Sequence, residues 1–364
     1  MTEKTERTFL ERNWKLLVNI ITIVALAILI YAIRDDLVQT FKNLWKVNAW
    51  ALLLMIPAQY LNYDAQARVY QGIFKTEGSK ISYWHLMRAT LELNFVNHVF
   101  PSGGVTGITY FSLRLKSNGI SVAKATAAHM MKLVMIFLSF ELMIVLGVTA
   151  LAVRGHMNNL ILFIAASLVT SLVILTFGMG FIIGSKARIA GFFSYASTML
   201  NKLIHIFRRN HPETINVDKV RTLFEDMHEY YVQFSSNWRQ LRMPLFWAFM
   251  ANFWEVMTIF VVYIAFGHIV NIGAIILAYA VANSAGFVSI LPGGIGIYEG
   301  LMTLVLTATG VPSKISLPVT VMYRVVNTII QVPAGYIAYQ RHLRQIKPSE
   351  IEELEQQVSS DGRD

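Results

Sequence analysis

Charged residues inside apolar stretches are the side chains of this sequence most suited to chemistry. Between Met243 and Gln340 the chain has only four charged residues, and three of them fall in apolar segments. Such charges are costly in a membrane and mark functional sites by default. Glu299 follows a Pro-Gly-Gly break, at a predicted helix start with free backbone N–H groups. Arg324 lies 25 residues later and could bind a phosphate through two hydrogen bonds. We predict that Glu299 and Arg324 face each other, as a substrate site or as a structural ion pair.

A second group of polar residues precedes a proline in the first half of the chain. Glu92, Asn94 and Asn97 come shortly before Pro101, and Lys132 follows inside an apolar run. We predict that these four residues join Glu299 and Arg324 in binding the substrate.

Signatures of catalysis and of metal or cofactor binding are absent from the sequence. It has no cysteine, no P-loop, no GxSxG elbow and no dinucleotide fingerprint. No His and carboxylate set has the spacing of metal ligands, so we expect neither a metal nor a cofactor. His98 is interpreted as a hydrogen-bonded helix end. We therefore expect no catalytic residues and no enzyme activity, although His98 or Glu92 would be the candidate base of a membrane-embedded transferase.

Two proline–glycine breaks interrupt the apolar segments and resemble each other. Their residues are Pro101, Gly103, Gly104 and Gly107 in the first half, and Pro292, Gly293, Gly294 and Gly296 in the second. Pro101 precedes Gly119 by 18 residues, and Pro292 precedes Gly310 by 18. Because irregular backbone at membrane depth must be enclosed by protein or line a cavity, we predict two re-entrant helical hairpins in an inverted repeat.

The composition indicates a membrane protein. Of 364 residues, 55% are hydrophobic and 15% are charged, whereas soluble domains usually carry about 25% charge. The mean hydropathy is +0.49. We predict an all-α polytopic membrane protein with about six full transmembrane helices besides the two hairpins. The predicted helical segments are 16–33, 47–63, 83–100, 122–153, 157–184, 243–266 and 316–339.

The charge distribution predicts the orientation. With a cytoplasmic N-terminus, the segments 1–15, 68–88, 114–124, 186–242 and 341–364 all face the cytoplasm. These segments hold 24 of the 31 Lys and Arg residues, the outer segments hold five, and two lie within spans. The positive-inside rule favours this arrangement. We therefore expect a protein of the cell inner membrane with both termini in the cytoplasm.

The same pattern divides the chain into three parts. Residues 1–15 form a cytoplasmic segment, 16–342 the transmembrane domain, and 343–364 a polar tail. Within the domain, 186–241 reads as a cytoplasmic amphipathic insertion that favours anionic lipid. The net charge of +9 is therefore assigned to the anionic inner leaflet, and no nucleic-acid partner is expected. The sequence is compatible with a homo-oligomer.

One motif resembles a known family. The run Leu291-Pro-Gly-Gly-Ile-Gly-Ile-Tyr-Glu299, followed by a Gly310-Val-Pro turn and Tyr323-Arg324, is similar to the signature of the lysylphosphatidylglycerol synthase transmembrane-region family. The segment 97–107 resembles its first glycine motif, and the resemblance covers about residues 12 to 342. It implies a flippase-like integral membrane protein. In multiple-peptide-resistance proteins a soluble aminoacyl-transferase domain follows this region, whereas this chain ends at Asp364, so we expect lipid translocation without aminoacyl transfer.

Residues and resemblance together predict a function. We expect a lipid flippase or lipid transporter that moves a phospholipid or glycolipid headgroup through a polar cavity between the two hairpins. The alternatives are a transferase acting on a lipid-linked donor, a secondary transporter of a small organic ion, and a scaffold without transport.

Overall fold

A computed structural model describes most of the chain as helices. The described residues are 47–76, 78–100, 105–153, 159–185, 238–286 and 296–345, with single residues between 20 and 45 and between 187 and 232. In chain order the helices are α1 (Ala49–Leu52), α2 (Met55–Thr76), α3 (Tyr83–Val99), α4 (Val105–Lys116), α5 (Val122–Val153), α6 (Asn159–Ile183), α7 (Arg242–Ala265), α8 (Ile272–Gly286), α9 (Ile297–Ala308) and α10 (Ser313–Gln345). A 3₁₀ turn, Trp238–Leu241, leads into α7.

The all-α, polytopic membrane architecture predicted from the sequence is confirmed. Within the described ranges, four helices are long and apolar enough to cross a membrane: Val122–Val153, Asn159–Gly178, Arg239–Ala265 and Ser313–Gln345. Large apolar side chains such as Phe163, Ile174 and Phe177 on α6 are exposed, as expected of a surface that meets lipid.

One predicted helix boundary is wrong. The uncharged stretch 47–63 ends at Asp64, but α2 continues to Thr76. The charges do not break the helix, because the Arg68 Nε donates to both carboxylate oxygens of Asp64 one turn earlier, at 3.0 and 2.8 Å. Four predicted parts lie wholly or mostly outside the described residues: the first helix at 16–33, the insertion at 186–241, the tail from 346 and the central residues of both breaks.

The helices repeat in the same order and with nearly the same lengths. The first half comprises α2, α3, α4 and α5, with 22, 17, 12 and 32 residues. The second half comprises α7, α8, α9 and α10, with 24, 15, 12 and 33 residues. The breaks fall between α3 and α4 and between α8 and α9, so each half has a helix, an interrupted pair and a long helix.

The way the halves pack also repeats. Helix α5 packs against α8 of the other half, and α10 packs against α3 in the corresponding place. Helices α2 and α7, the first of each half, share the most extensive interface in the molecule's described part. Two halves related by a pseudo-twofold axis produce this reciprocal packing of equivalent helices.

Glycine turns end the equivalent helices and fix the alignment of the halves. Gly78 and Gly267 follow α2 and α7 with φ of 75° and 76°, and each next residue donates its N–H to the carbonyl five residues earlier. Gly119 and Gly310 follow α4 and α9 with φ of 77° and 93°, and make the same closing bond. This Schellman geometry places a residue of the first half 189 to 191 positions before its equivalent.

Helices α2 and α7 run antiparallel and meet at equivalent residues. Asn62 Nδ2 donates to the Ala251 carbonyl at 2.7 Å, and these positions are 189 apart. Before that crossing, Gln59 contacts Thr258; beyond it, Gly72 lies against Pro244. Two equivalent helices that run antiparallel are related by a twofold axis perpendicular to them. The halves are therefore inverted with respect to each other, which agrees with the arrangement predicted from the breaks.

Candidate substrate-binding site

The predicted pairing of Glu299 with Arg324 is present in the structure. Glu299 is the third residue of α9, and its Oε2 accepts a hydrogen bond from the Gly296 N–H at 2.6 Å. Its Oε1 accepts from the Arg324 Nη1 on α10, and the Arg324 guanidinium lies 5.0 Å from the centre of the Tyr298 ring. The carboxylate thus closes the first turn of α9 and also joins α9 to α10.

The arginine of the ion pair is partly exposed. The Arg324 side chain is 20% exposed and that of Glu299 is 8% exposed. A guanidinium in such a place has the donors needed for a phosphate or carboxylate. The same contacts also hold two helices together, so both functions considered for this pair are compatible with its geometry.

Lys132 is a buried cation in the middle of α5. Its Nζ donates to Gln66 Oε1 on α2 at 2.9 Å and lies 4.6 Å from the centre of the Tyr70 ring. Asn94 is brought to the same place, because its Nδ2 is 3.4 Å from the Gln66 Oε1. The structure therefore joins two predicted site residues, Lys132 and Asn94, through Gln66, which the sequence analysis missed.

Glu92 has partners that were not predicted. Its Oε2 accepts hydrogen bonds from the Arg114 Nε at 2.9 Å and from the Tyr110 hydroxyl at 2.8 Å, and all three side chains belong to the α3–α4 pair. Arg114, counted by the charge pattern among the cytoplasm-facing cations of 114–124, lies in the last turn of α4 and is 8% exposed. Its position at a helix C-terminus, where cations are favourable, was the available signal.

Asn97 and His98 lie at the end of α3, next to the first break. His98 Nδ1 is 2.9 Å from the Asn94 carbonyl, which agrees with its interpretation as a hydrogen-bonded helix end. The Asn97 Oδ1 is buried and has no hydrogen-bond partner within the described chain. The Asn97 amide lies against Gly107, where any Cβ would overlap it. Any larger residue at position 107 would therefore force the Asn97 side chain to move.

The remaining break residues differ in what can be said of them. Pro101, Gly103, Gly104, Pro292, Gly293 and Gly294 lie outside the described residues. Gly296 is described and has φ of 85°, in the left-handed region that favours glycine.

A buried network around Glu255 is the largest feature that the predicted site omitted. Glu255 Oε1 accepts from the Tyr323 hydroxyl at 2.5 Å and from Asn327 Nδ2 at 3.1 Å, and its Oε2 accepts from Gln59 Nε2 at 3.1 Å. Gln331 closes the network by donating to Gln59 Oε1 and Asn327 Oδ1. No Lys or Arg pairs with Glu255 within the described ranges, so amide and hydroxyl donors alone satisfy it.

The Glu255 and Lys132 contacts occupy equivalent places in the two halves. Gln66 on α2 is 189 positions before Glu255 on α7, and Lys132 on α5 is 191 positions before Tyr323 on α10. The bond from Lys132 to Gln66 therefore corresponds to the bond from Tyr323 to Glu255. One half presents a buried cation to an amide, and the other presents a hydroxyl to a buried carboxylate.

These groups form one stripe, which we call the polar seam. Its members are Gln59, Asn62, Gln66, Lys132, Glu255, Tyr323, Asn327 and Gln331. On α2, its residues recur at helical spacing and share one face. The seam lies between the two halves, inside a bundle whose other core side chains are largely apolar. No group of three metal-ligating side chains occurs in the described part of the chain.

The comparison with known families covers nearly the whole chain. A family described as the lysylphosphatidylglycerol synthase TM region matches residues 17–335. The chain belongs to this family. The match includes both breaks, the polar seam and the Glu299–Arg324 pair, so these features lie within the family's membrane region.

Two archaeal relatives align over most of their length. UPF0104 membrane protein MJ1595 of Methanocaldococcus jannaschii is 22% identical over 323 residues, which are 86% of this chain and 90% of that protein. UPF0104 membrane protein PH1989 of Pyrococcus horikoshii is 21% identical over 308 residues, 82% of this chain and 89% of that protein. No solved structure matches this chain at a significant level.

Proposed function

We propose that this family member is a lipid flippase or lipid transporter, which moves a phospholipid or lipid-linked headgroup across the cytoplasmic membrane. The observation that carries the proposal is the polar seam. A row of amide, hydroxyl and charged groups buried between two inverted halves is costly to maintain for stability alone, because apolar packing would serve at least as well.

The polar seam supplies the hydrogen-bond partners that a headgroup lacks inside the hydrocarbon core of the bilayer. An uncompensated polar group loses several kcal/mol on leaving water for an apolar medium. In the structure the seam groups bond one another, for example Gln59 to Glu255 and Gln66 to Lys132. When the halves separate, these same donors and acceptors would bind the headgroup while the acyl chains stay in the bilayer. Inverted halves allow the seam to open alternately to either side.

The predicted site residues have roles in this scheme. Arg324, paired with Glu299 and 20% exposed, would bind the headgroup phosphate. Lys132 would bind the same anion deeper in the seam, with Asn94 beside it. Asn97, at the end of α3, and Glu92, earlier on the same helix, would contact the headgroup as well. The family's description, which refers to a lipid-modifying synthase, supports a lipid cargo.

We further propose that the protein transports lipid without catalysing a reaction on it. A transferase acting on a lipid-linked donor would instead require a base, and Glu92 is held by Arg114 and Tyr110 while His98 closes a helix end. Both groups are therefore engaged in contacts that position helices.

Reconstitution into liposomes tests this function. Liposomes carrying fluorescent phospholipids are treated with dithionite, which bleaches only outer-leaflet label. The proposal predicts that protein-containing liposomes lose nearly all the label of at least one phospholipid or glycolipid, whereas protein-free liposomes lose half. Headgroup turnover in detergent, lost on Glu92→Gln, would favour the transferase instead. Equal bleaching with and without protein for a panel of anionic, zwitterionic and glycosylated lipids would contradict transport.

A further inference from the structure

A cavity outside the polar seam opens at the end of α2. It has a volume of about 800 Å³ and lies between the last turns of α2, the turn that leads to α3 and the start of α7. Arg68, Lys75 and Lys80 line it, together with Trp247 and Met243. The turn also contains Glu77, which lies outside the described residues. The size is that of a site for a small ligand or a headgroup.

Arg68 is held in the wall of this cavity with part of its guanidinium available. Its Nε is bound to Asp64, which also accepts from the Tyr83 hydroxyl at 2.5 Å. The guanidinium carbon lies 4.6 Å from the Trp247 ring centre and 5.5 Å from that of Tyr83. The two Nη groups make no hydrogen bond within the described chain, and the side chain is 41% exposed. Stacking and the Asp64 contact orient the donors for an anion.

The cavity faces away from the polar seam. Its α2 residues, Arg68, Gln71 and Lys75, follow one another at helical spacing. The seam residues Gln59 and Gln66 lie about half a turn around the helix from them, at 3.6 residues per turn. An anion bound in the cavity therefore does not occupy the seam.

The cations of the cavity are not a requirement of the fold. In the second half, the positions equivalent to Arg68, Lys75 and Lys80 are Met257, Ile264 and Ile269, 189 residues later. Helix α7 and its glycine turn have the same local geometry with apolar residues there. The positive charge thus appears at only one of two equivalent places, the one that the charge pattern assigns to the cytoplasmic side, where anionic lipids are concentrated.

Apolar side chains surround the basic cavity. Met243 is 68% exposed, and Phe246, in edge contact with Trp247, is 48% exposed. Trp84, in edge contact with Tyr83, is 60% exposed. Exposed aromatic residues beside cations are typical of the membrane–water interface, where rings meet acyl chains and cations meet phosphates.

We propose that this cavity is an interfacial binding site for the phosphate of an anionic phospholipid. Arg68 binds the phosphate oxygens through its Nη groups, Lys75 and Lys80 add positive charge, and the apolar rim packs on the acyl chains. The site holds the lipid at one face of the protein and is separate from the translocation path. It does not depend on whether the protein transports lipid.

Lipid binding to the purified full-length protein in a neutral detergent tests the proposal. Native mass spectrometry measures the affinity for phosphatidylglycerol and for phosphatidylcholine with the same acyl chains, and glycerol 3-phosphate serves as the soluble headgroup. The test variant is Lys75→Gln/Lys80→Gln, which leaves the Arg68–Asp64 contact intact. The control is Lys314→Gln, since Lys314 is an exposed lysine in the first turn of α10. Thermal unfolding without lipid checks that each protein is folded.

We expect the wild type and Lys314→Gln to prefer phosphatidylglycerol, and the double variant to bind it about 25-fold more weakly, at about fivefold per lysine. Arg68→Gln is expected to weaken it further, with phosphatidylcholine binding unchanged throughout. Equal affinity of the wild type for both lipids, or an undiminished preference in the folded double variant, would overturn the proposal. Glycerol 3-phosphate alone binding as tightly as the lipid would also overturn it, because the ligand would then be a free phosphate.

Discussion

The Glu255 network allows a graded prediction for protein stability. Replacing Glu255 with Ala removes the acceptor for three buried donors: Gln59 Nε2, the Tyr323 hydroxyl and Asn327 Nδ2. Hydrogen bonds between membrane helices are worth about 0.6 kcal/mol on average and up to about 1.7. Three lost bonds therefore predict a loss of about 2 to 5 kcal/mol in the free energy of unfolding.

Glu255→Gln is expected to cost less. A glutamine carbonyl can still accept from Tyr323 and Asn327, whereas its amide nitrogen faces another donor, Gln59 Nε2. Rotating the Gln59 amide would restore that bond but lose two others, from Gln331 to Gln59 Oε1 and from Gln59 Nε2 to the Thr258 hydroxyl. The unrotated arrangement, with one bond lost, is therefore favoured, and the predicted cost is about 1 kcal/mol.

Unfolding in mixed detergent micelles, followed by circular dichroism, measures these changes. Glu141 on α5 is the matched control, because within the described chain its carboxylate has a single hydrogen bond, 3.4 Å from the Thr176 hydroxyl, and it is incompletely buried. Glu141→Ala and Glu141→Gln are expected to stay within about 0.5 kcal/mol of the wild type. Two results would show that the hydrogen bonds to Glu255 do not set the stability: Glu255→Ala staying in that range, or Glu255→Gln being as damaging as Glu255→Ala. The second result would mean that the charge, rather than the bonds, is what the site requires.

Three further predictions concern other parts of the described structure. Arg114→Met should lower the free energy of unfolding by about 3 to 5 kcal/mol, because it leaves Glu92 buried without its cation. Adding Glu92→Gln should recover most of that loss, and a double variant no more stable than Arg114→Met would contradict this prediction. Gly296→Ala should cost about 1 to 2 kcal/mol in thermal unfolding, since φ is 85° there, and an unchanged stability would refute the left-handed turn. Because the chain has no cysteine, single introduced cysteines can be labelled selectively. Lys75→Cys should react with an impermeant maleimide only from the cytoplasmic side, and Lys314→Cys only from outside. Labelling of both from one side would exclude the predicted orientation.

The sequence was most informative where a residue type is rare in its surroundings. Glu299 and Arg324 were predicted to face each other because few charges occur in that half, and they form an ion pair. The glycines at 119 and 310 indicated a repeat, and both end helices with the same left-handed turn. The long span Val122–Val153 was predicted with the bounds that the structure gives. In each case a strong local constraint acts on a single position.

The partners that the sequence did not reveal are uncharged or lie far along the chain. Gln59 and Gln66 are ordinary residues in a mixed segment, and nothing local connects Gln59 with Gln331, 272 residues away. Their role follows from the crossing of α2 and α7, which the repeat determines only after the halves have been aligned. Arg114 was counted only as a cytoplasm-facing cation because the charge pattern takes no account of partners, and the buried carboxylate of Glu92 lies one helix earlier.

If a lipid headgroup crosses the membrane along the polar seam, the translocation rate must depend on the buried cation Lys132. Lys132→Met keeps most of the length of the side chain and removes the buried cation, whereas Lys314→Met removes an exposed one. In the dithionite assay, with a lipid that the wild type moves, we expect a rate at least tenfold lower for Lys132→Met, because a hydrogen bond to a charged group contributes about 1.5 to 3 kcal/mol. Lys314→Met should equal the wild type. A folded Lys132→Met protein that moves lipid at the wild-type rate would contradict a path along the seam.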